Sequence, residues 1–247
     1  MEKRIVQGLD ALGLSGRVPE NAAEKLAVYG RLLLEKNQVM NLTAIRDEEG
    51  VASLHMLDCA ALLNTPGLEL QGGKTLIDVG TGAGFPGMVL KVLVPELQVT
   101  LLDSLGKRLV WLEEVADNLG LQGVRAVHAR AEEQSRLPDF RERFDFAAAR
   151  AVADLRVLCE LCLPYVKPGG LFLAMKSVDC AAELDAAARL IEMLGGQVET
   201  VYDYAIPGPE VSHRVIAIRK LSPTPGAYPR KWAKMQKEAS AGYARSI

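Results

Sequence analysis

The sequence predicts an α/β protein: a mostly parallel, seven-stranded sheet with helices on both faces and a helical N-terminal extension. Three observations carry this expectation. Beyond residue 73, short β-rich runs alternate with amphipathic stretches, and βαβ order builds parallel sheets covered on both sides. A glycine cluster follows the first of these runs and opens a helix. The first seventy residues instead show helical spacing of their apolar side chains.

The elements follow in order. Asn21 stands as the N-cap of a helix over Ala22–Gln38, where Ala22, Leu26, Tyr29 and Leu33 recur at helical spacing. A second helix is expected over Asp47–Leu63, with Val51, Leu54, Leu57 and Ala61 on its apolar face. Asn64-Thr65-Pro66-Gly67 and Gln71-Gly72-Gly73 break the chain, which places a boundary there. Three parts result: a helical extension over 1–73, a core over 74–220 and a basic tail over 221–247. Strands are expected at Thr75–Val79, Val99–Asp103, Val124–Ala129, Phe144–Ala149, Leu171–Lys176, Val198–Tyr204 and Arg214–Arg219. Helices fit between most of them, at Gly87–Val94, Lys107–Leu119, Asp154–Leu163 and Ala181–Leu194. Only Ala205–Ser212, with two prolines, separates the last two strands, which predicts an antiparallel hairpin at a sheet edge.

The most informative segment is Leu76-Ile77-Asp78-Val79-Gly80-Thr81-Gly82-Ala83-Gly84-Phe85-Pro86-Gly87. Glycine permits left-handed backbone and close approach to a ligand, and the first βα turn of a parallel sheet is where nucleotide-like ligands sit. Asp103 ends the next strand, placed to accept bonds from the two ribose hydroxyls of an adenosine, with Ser104 beside it. Two cofactors compete. Gly82, Gly84 and Gly87 fit the G-x-G-x-x-G dinucleotide fingerprint, but a carboxylate at Asp78 would repel a pyrophosphate. S-adenosylmethionine carries a sulfonium and an α-ammonium instead, and an acid nearby suits both. The D-x-G-x-G-x-G spacing of Asp78, Gly80, Gly82 and Gly84 favours this second cofactor, and with it a Rossmann-like, class I methyltransferase.

Other segments narrow the acceptor. The fourth strand runs into Ala149-Arg150-Ala151-Val152, without the Asp/Asn-Pro-Pro-Tyr/Phe that often serves methylation of exocyclic adenine amines. No Pro-Cys pair offers a nucleophile for carbon-5 of cytosine. A ring nitrogen with a free lone pair fits what remains, attacking the methyl directly while the enzyme supplies position and charge stabilisation. Arg150 is a candidate contact to guanine O6 or phosphate, with an ion pair to a neighbouring acid as the plainer alternative. Ala131 and Glu132 follow the third strand, in the turn that lies beside adenine. Cys159 and Cys162 form C-x-x-C on an apolar helix without a second pair, and read as buried thiols. His55, His128 and His213 show no metal-ligand spacing, and no metal is expected.

Apolar residues make up 49% of the 247, enough for a sizeable core. The net charge of −2 conceals an asymmetry: Arg219–Ile247 carries +6 and the rest −8. A basic tail on an acidic body hints at a polyanionic partner, and Tyr228, Trp232 and Tyr243 among its cations suit base stacking. No run of about 18 uninterrupted apolar residues suggests a membrane span. The charged start lacks a secretory apolar region, and four cysteines then suggest reduced thiols in a cytoplasm.

Several blocks together resemble the bacterial glucose-inhibited-division-B family. They are Asn41-Leu42-Thr43-Ala44-Ile45-Arg46-Asp47, then His55 and Leu57-Asp58, the glycine turn through Gly87, and Leu101-Leu102-Asp103-Ser104-Leu105-Gly106-Lys107-Arg108. Arg130-Ala131-Glu132-Glu133, Arg150-Ala151, Lys176 and Tyr228-Pro229-Arg230-Lys231 continue the likeness. The resemblance implies S-adenosylmethionine-dependent methylation of a guanine N7 in small-subunit (16S) ribosomal RNA, by a monomer. It also implies that Gly80, Phe85, Asp103, Ala131, Glu132 and Arg150 line the cofactor site. His55, Asp58, Lys107, Arg108 and Lys176 become candidates for the RNA face, as do Arg230 and Lys231 in the tail. Lys107 and Arg108 open a helix, where cations oppose the macrodipole, so a phosphate-contact role is the more natural one. The tail departs from the family after Lys231, with Trp232-Ala233-Lys234 in place of small residues and prolines. A nicotinamide dehydrogenase and a non-catalytic RNA-binding assembly factor are the competing readings.

Overall fold

A computed structural model of the chain describes residues 1–150 and 153–243, the last five of these by backbone alone. Ala151 and Arg245, and the side chain of Tyr243, lie outside that description.

Among the described residues, the N-terminal part contains no strand and four α-helices: α1 (Glu2–Ala11), α2 (Ala22–Met40), α3 (Glu48–Val51) and α4 (Asp58–Ala60). Asn21 does precede α2, but its side chain makes no capping bond. Asp47 caps α3 through Gly50 N–H at 2.7 Å. The helix expected over Asp47–Leu63 is not uniform. A π-helical turn, Ala52–Leu57, joins α3 to α4, and a 3₁₀ turn, Ala61–Asn64, closes the run. Such widened turns often mark functional places, and this one carries His55.

Seven strands form one sheet: β1 (Thr75–Val79), β2 (Gln98–Asp103), β3 (Val124–His128), β4 (Phe144–Arg150), β5 (Val166–Ser177), β6 (Gly196–Ala205) and β7 (Ser212–Lys220). Their order is β3-β2-β1-β4-β5-β7-β6. The first five are parallel, and β7 runs antiparallel to both neighbours, so the hairpin sits at the edge as expected. Each parallel crossover carries a helix: α5 (Gly87–Leu93), α6 (Gly106–Asn118), α7 (Ala131–Gln134) and α8 (Leu155–Cys162). Helix α9 (Ala181–Met193) precedes β6, and α10 (Trp232–Tyr243) lies in the tail.

Alternation along the strands divides the core in two. Leu76, Phe146, Ala148, Leu171 and Leu173 face one cluster, which contains α5 and α6 together with Ile5, Leu26, Tyr29 and Leu33 of the N-terminal helices. Ile77, Ala147, Ala149, Phe172 and Ala174 face the other, with α8, α9 and Met235 of α10. The N-terminal helices therefore complete one face of the sheet. Among the described residues, no helix is long and apolar enough to cross a membrane.

Candidate cofactor and acceptor site

The glycine turn leaves β1 and enters α5 under restraint from three sides. Gly80 and Thr81 donate N–H to Leu102 C=O of β2 at 2.8 and 3.0 Å. Asp78 Oδ2 accepts the Thr81 hydroxyl at 2.7 Å and Gly87 N–H at 2.8 Å, joining the two ends of the turn. Tyr29 of α2 donates its hydroxyl to Ala83 C=O, and its ring lies 5.5 Å from that of Phe85. Gly84 sits at φ +92°, and a Cβ there would fall on the Tyr29 hydroxyl. That position needs glycine for conformation and for space.

A cavity of about 410 Å³ opens above the turn at the carboxyl ends of the strands, the expected place for a ligand in this topology. At one end stands Asp103. Its Oδ2 accepts Gly82 N–H at 2.9 Å and its Oδ1 accepts Leu105 N–H at 2.8 Å, which fixes the carboxylate at the tip of β2. Arg108 Nη1 approaches to 3.6 Å. Ala131 and Glu132 at the start of α7 border the same end, and Tyr165 buttresses them by donating to Ala131 C=O at 2.8 Å. Leu161 and Trp232 complete this wall.

The opposite end is built from distant segments. Arg150, at the tip of β4, lays its guanidinium 4.7 Å above the Phe85 ring. It donates from Nη1 to Asp58 Oδ2 and to Leu54 C=O, each at 3.1 Å. From Nη2 it reaches His55 Nδ1 at 3.0 Å. His55 stacks on the same Phe85 ring at 4.6 Å, and its Nε2 lies 2.8 Å from Thr43 Oγ1. Asp58 is 1% exposed and also accepts from Tyr204 and from His213 Nδ1, each at 2.8 Å. Burial alone would raise the pKa of Asp58, but the bonds from His213, Arg150 and Tyr204 hold it below the ordinary carboxylate value. Bonding to Asp58 raises the pKa of His213 in turn. Burial and the facing guanidinium lower that of His55 to about 4, so its ring is neutral.

Gly80, Gly82, Phe85, Asp103, Ser104, Ala131, Glu132 and Arg150 all border this cavity. Other positions require correction. Asp78 and Gly84 are not in the lining; Asp78 is fully buried and acts on the loop, not the ligand. Asp58 is buried by its ion pair with Arg150 and does not border the cavity, whereas His55, hydrogen-bonded to the same guanidinium, does border it. The Arg150–Asp58 pair is the plainer alternative weighed for Arg150, and it coexists with a place in the cavity wall. Lys176 turns to Glu183 at 2.7 Å and does not border the cavity. Arg230 grips Glu160 through Nε and Nη2 and Glu238 through Nη1, so it anchors the tail. Arg108 lines the cavity, while Lys107 and Lys231 are exposed. All four cysteines are buried, and none borders the cavity. Thr43 and Trp232 are lining residues whose roles residue-by-residue reading missed. Thr43 stood within the Asn-Leu-Thr block, but its pairing with His55 has no local signature.

The cavity distinguishes between the two cofactors. The amides of Gly80, Thr81, Gly82, Gly84 and Phe85 are all satisfied within the protein. A pyrophosphate needs such N–H groups as its cradle, and this turn has committed them. The fixed Asp103 carboxylate suits a ribose diol, and Ala131, Leu161 and Trp232 suit a neutral heterocycle. Those features fit S-adenosylmethionine. Fold and site together define a class I, Rossmann-like, S-adenosylmethionine-dependent methyltransferase.

Comparison with known proteins places the chain more narrowly. The profile of the GidB family, described as rRNA small subunit methyltransferase G, matches residues 22–209. Ribosomal RNA small subunit methyltransferase G of Lachnoclostridium phytofermentans is 44% identical over 93% of each chain. The protein of that name from Acetivibrio thermocellus is 42% identical over 96% of each. Among solved structures, fibrillarin of Aeropyrum pernix, holding natively bound S-adenosyl-L-methionine, superposes with a TM-score of 0.51 at 13% identity. That match covers 66% of this chain and 73% of fibrillarin. TrmN of Thermus thermophilus gives 0.50 at 24% identity, over 67% of this chain and 48% of its own. The chain belongs to the GidB family.

Proposed function

We propose that this protein transfers the methyl group of S-adenosylmethionine to N7 of a guanine in the RNA of the small ribosomal subunit, acting as a monomer. The observation that carries the proposal is one cavity with two unlike ends. A fixed carboxylate and apolar wall stand at the first, and a hydrogen-bonded Arg150–His55–Thr43 group stands at the second. Both ends adjoin the same glycine turn.

When bound, S-adenosylmethionine supplies a methyl on a sulfonium, electrophilic without further activation. Asp103 would hold the ribose hydroxyls, Ala131 and Glu132 would border the adenine, and the backbone at Gly80 and Gly82 would hold the methionine part. Phe85 separates the two ends. N7 of guanine carries a free lone pair and no proton, so no residue need act as base. The neutral His55 and the absence of cysteine from the lining agree with this. The Arg150 charge is balanced by Asp58, which keeps net positive charge away from a cationic cofactor. The protein's contribution is then position and exclusion of water.

The test is transfer of labelled methyl from S-adenosylmethionine to small subunits lacking this modification, followed by nucleoside analysis. We expect 7-methylguanosine with the wild type and none with Asp103→Ala. Intact cofactor binding without label in subunits or in free ribosomal RNA would refute the acceptor assignment.

A further inference from the structure

The acceptor end contains a hydroxyl whose hydrogen-bonding choices have been removed by its neighbours. Arg150 can only donate, so Nη2 at 3.0 Å requires a lone pair on His55 Nδ1. Nδ1 also lies 3.1 Å from Leu54 C=O, which would prefer a proton there. The guanidinium decides the matter, because it has no acceptor form, and because Nη1 already donates to that same carbonyl. A neutral imidazole unprotonated at Nδ1 carries its proton on Nε2. Nε2–H therefore donates to Thr43 Oγ1 at 2.8 Å. Ile45 N–H donates to the same oxygen at 3.1 Å. A hydroxyl oxygen has two lone pairs, and both are now occupied. What Thr43 retains is one O–H, and Thr43 borders the cavity together with His55, Phe85 and Arg150.

From this we infer that Thr43 is a specificity-determining residue: its hydroxyl, fixed as a donor only, binds O6 of the acceptor guanine and rejects adenine. The inference rests on the function proposed above. Guanine presents two acceptors, O6 and N7, on the edge where methylation occurs, whereas adenine presents an N6 amine donor beside its N7. An ordinary threonine hydroxyl would reverse itself and accept from that amine. Here it cannot, since no lone pair remains. A site built around one hydrogen-bond sense discriminates well, because the wrong partner leaves two donors facing each other. The tautomer of His55 is fixed by the guanidinium that Asp58 anchors, so this polarity is set in part from 15 residues further along the chain.

A four-cornered comparison tests it: wild type and Thr43→Val, each with guanine or 2-aminopurine at the target position. The target is first mapped with the wild type, and 2-aminopurine keeps N7 but lacks O6. Affinity for S-adenosylhomocysteine is measured alongside. With the wild type, loss of O6 should lower kcat/KM about tenfold. Thr43→Val should lose about tenfold on guanine, bind S-adenosylhomocysteine normally, and lose little more when O6 is removed. Thr43→Ser, which keeps the hydroxyl, should behave as wild type. If Thr43→Val does not fold, Thr43→Ala takes its corner, since water can satisfy the two stranded donors. Additive losses, or weakened S-adenosylhomocysteine binding with normal RNA dependence, would overturn the inference. A wild type that labels no guanine would instead refute the underlying function.

Discussion

Asp58 and Asp78 are both buried carboxylates, yet they respond to pH in opposite senses. Asp58 is fully bonded, and its folded pKa lies below the unfolded value. Its contribution is present above about pH 4 and is lost as pH falls through the folded pKa. The pKa of its partner His213 is raised, so that contribution is complete below about pH 6.5 and is lost as pH rises through the folded value. The pair is thus strongest between these limits. Asp78 has an Oδ1 that is buried without a partner, and burial, opposed by bonds from Thr81 and Gly87, brings its pKa to about 6. Its folded form holds the proton more tightly, so it destabilises progressively as pH rises from about 4 to about 6. Asp78→Asn keeps an acceptor for Thr81 and Gly87 and removes that charge. Thermal unfolding from pH 4 to 7 should show Asp78→Asn gaining on wild type by on the order of 2–3 kcal/mol across the window. A difference that does not vary with pH would count against it. Asp58→Ala leaves Arg150 charged and buried, and should cost about 3–5 kcal/mol at pH 7. Urea unfolding measures this directly.

At the scale of elements, α10 shows both what sequence reading captures and where it stops. Period-two and helical patterns located the seven strands and the main helices, because each reports burial of a single element on its own side of the sheet. Strand β5 begins five residues earlier than expected. Lys167-Pro168-Gly169-Gly170 forms an irregularity against β4, between the Phe144 and Phe146 pairings. The tail read as a charged segment, and nothing local announced that it packs. Its anchors are tertiary: Glu160 of α8 accepts Arg230 N–H and its guanidinium, and Met235 is buried against the same helix layer. The joining of His55 and Asp58 to Arg150 was illegible for the same reason, since that partner is more than ninety residues away in sequence. The glycine turn and Asp103 were legible because their chemistry is local. Packing of α10 brings Trp232 to the cofactor end of the cavity. Trp111, the other tryptophan, lies buried near Tyr29. Binding of S-adenosylhomocysteine should therefore change the fluorescence of Trp111→Phe but barely that of Trp232→Phe. Trp232→Ala should weaken binding about three- to tenfold, as expected for losing one aromatic contact.

Across the whole molecule, the +6 of Arg219–Ile247 overstates what faces a polyanion. Arg219 is bound to Glu199, Lys220 is buried beside Glu142, and Arg230 is held by Glu160 and Glu238. Arg219 and Lys220 belong to β7 and pair within the body, so of these cations it is Arg230 that pins the tail, through Glu160. Lys231, Lys234 and Lys237 are exposed on or beside α10. They share a segment with Trp232, which lines the cavity. If these three contact phosphates, replacing all of them with alanine should flatten the dependence of log K for RNA on log salt by about 2, at roughly 0.7 per single-stranded contact. Affinity for S-adenosylhomocysteine should stay within twofold, because none of the three lines the cavity. Replacing Arg230 should act differently, weakening RNA and cofactor binding together by releasing α10 and Trp232 with it. An unchanged salt slope in the triple variant would assign the tail to architecture alone, and would move the RNA-binding surface to the Lys107 side of the same cavity.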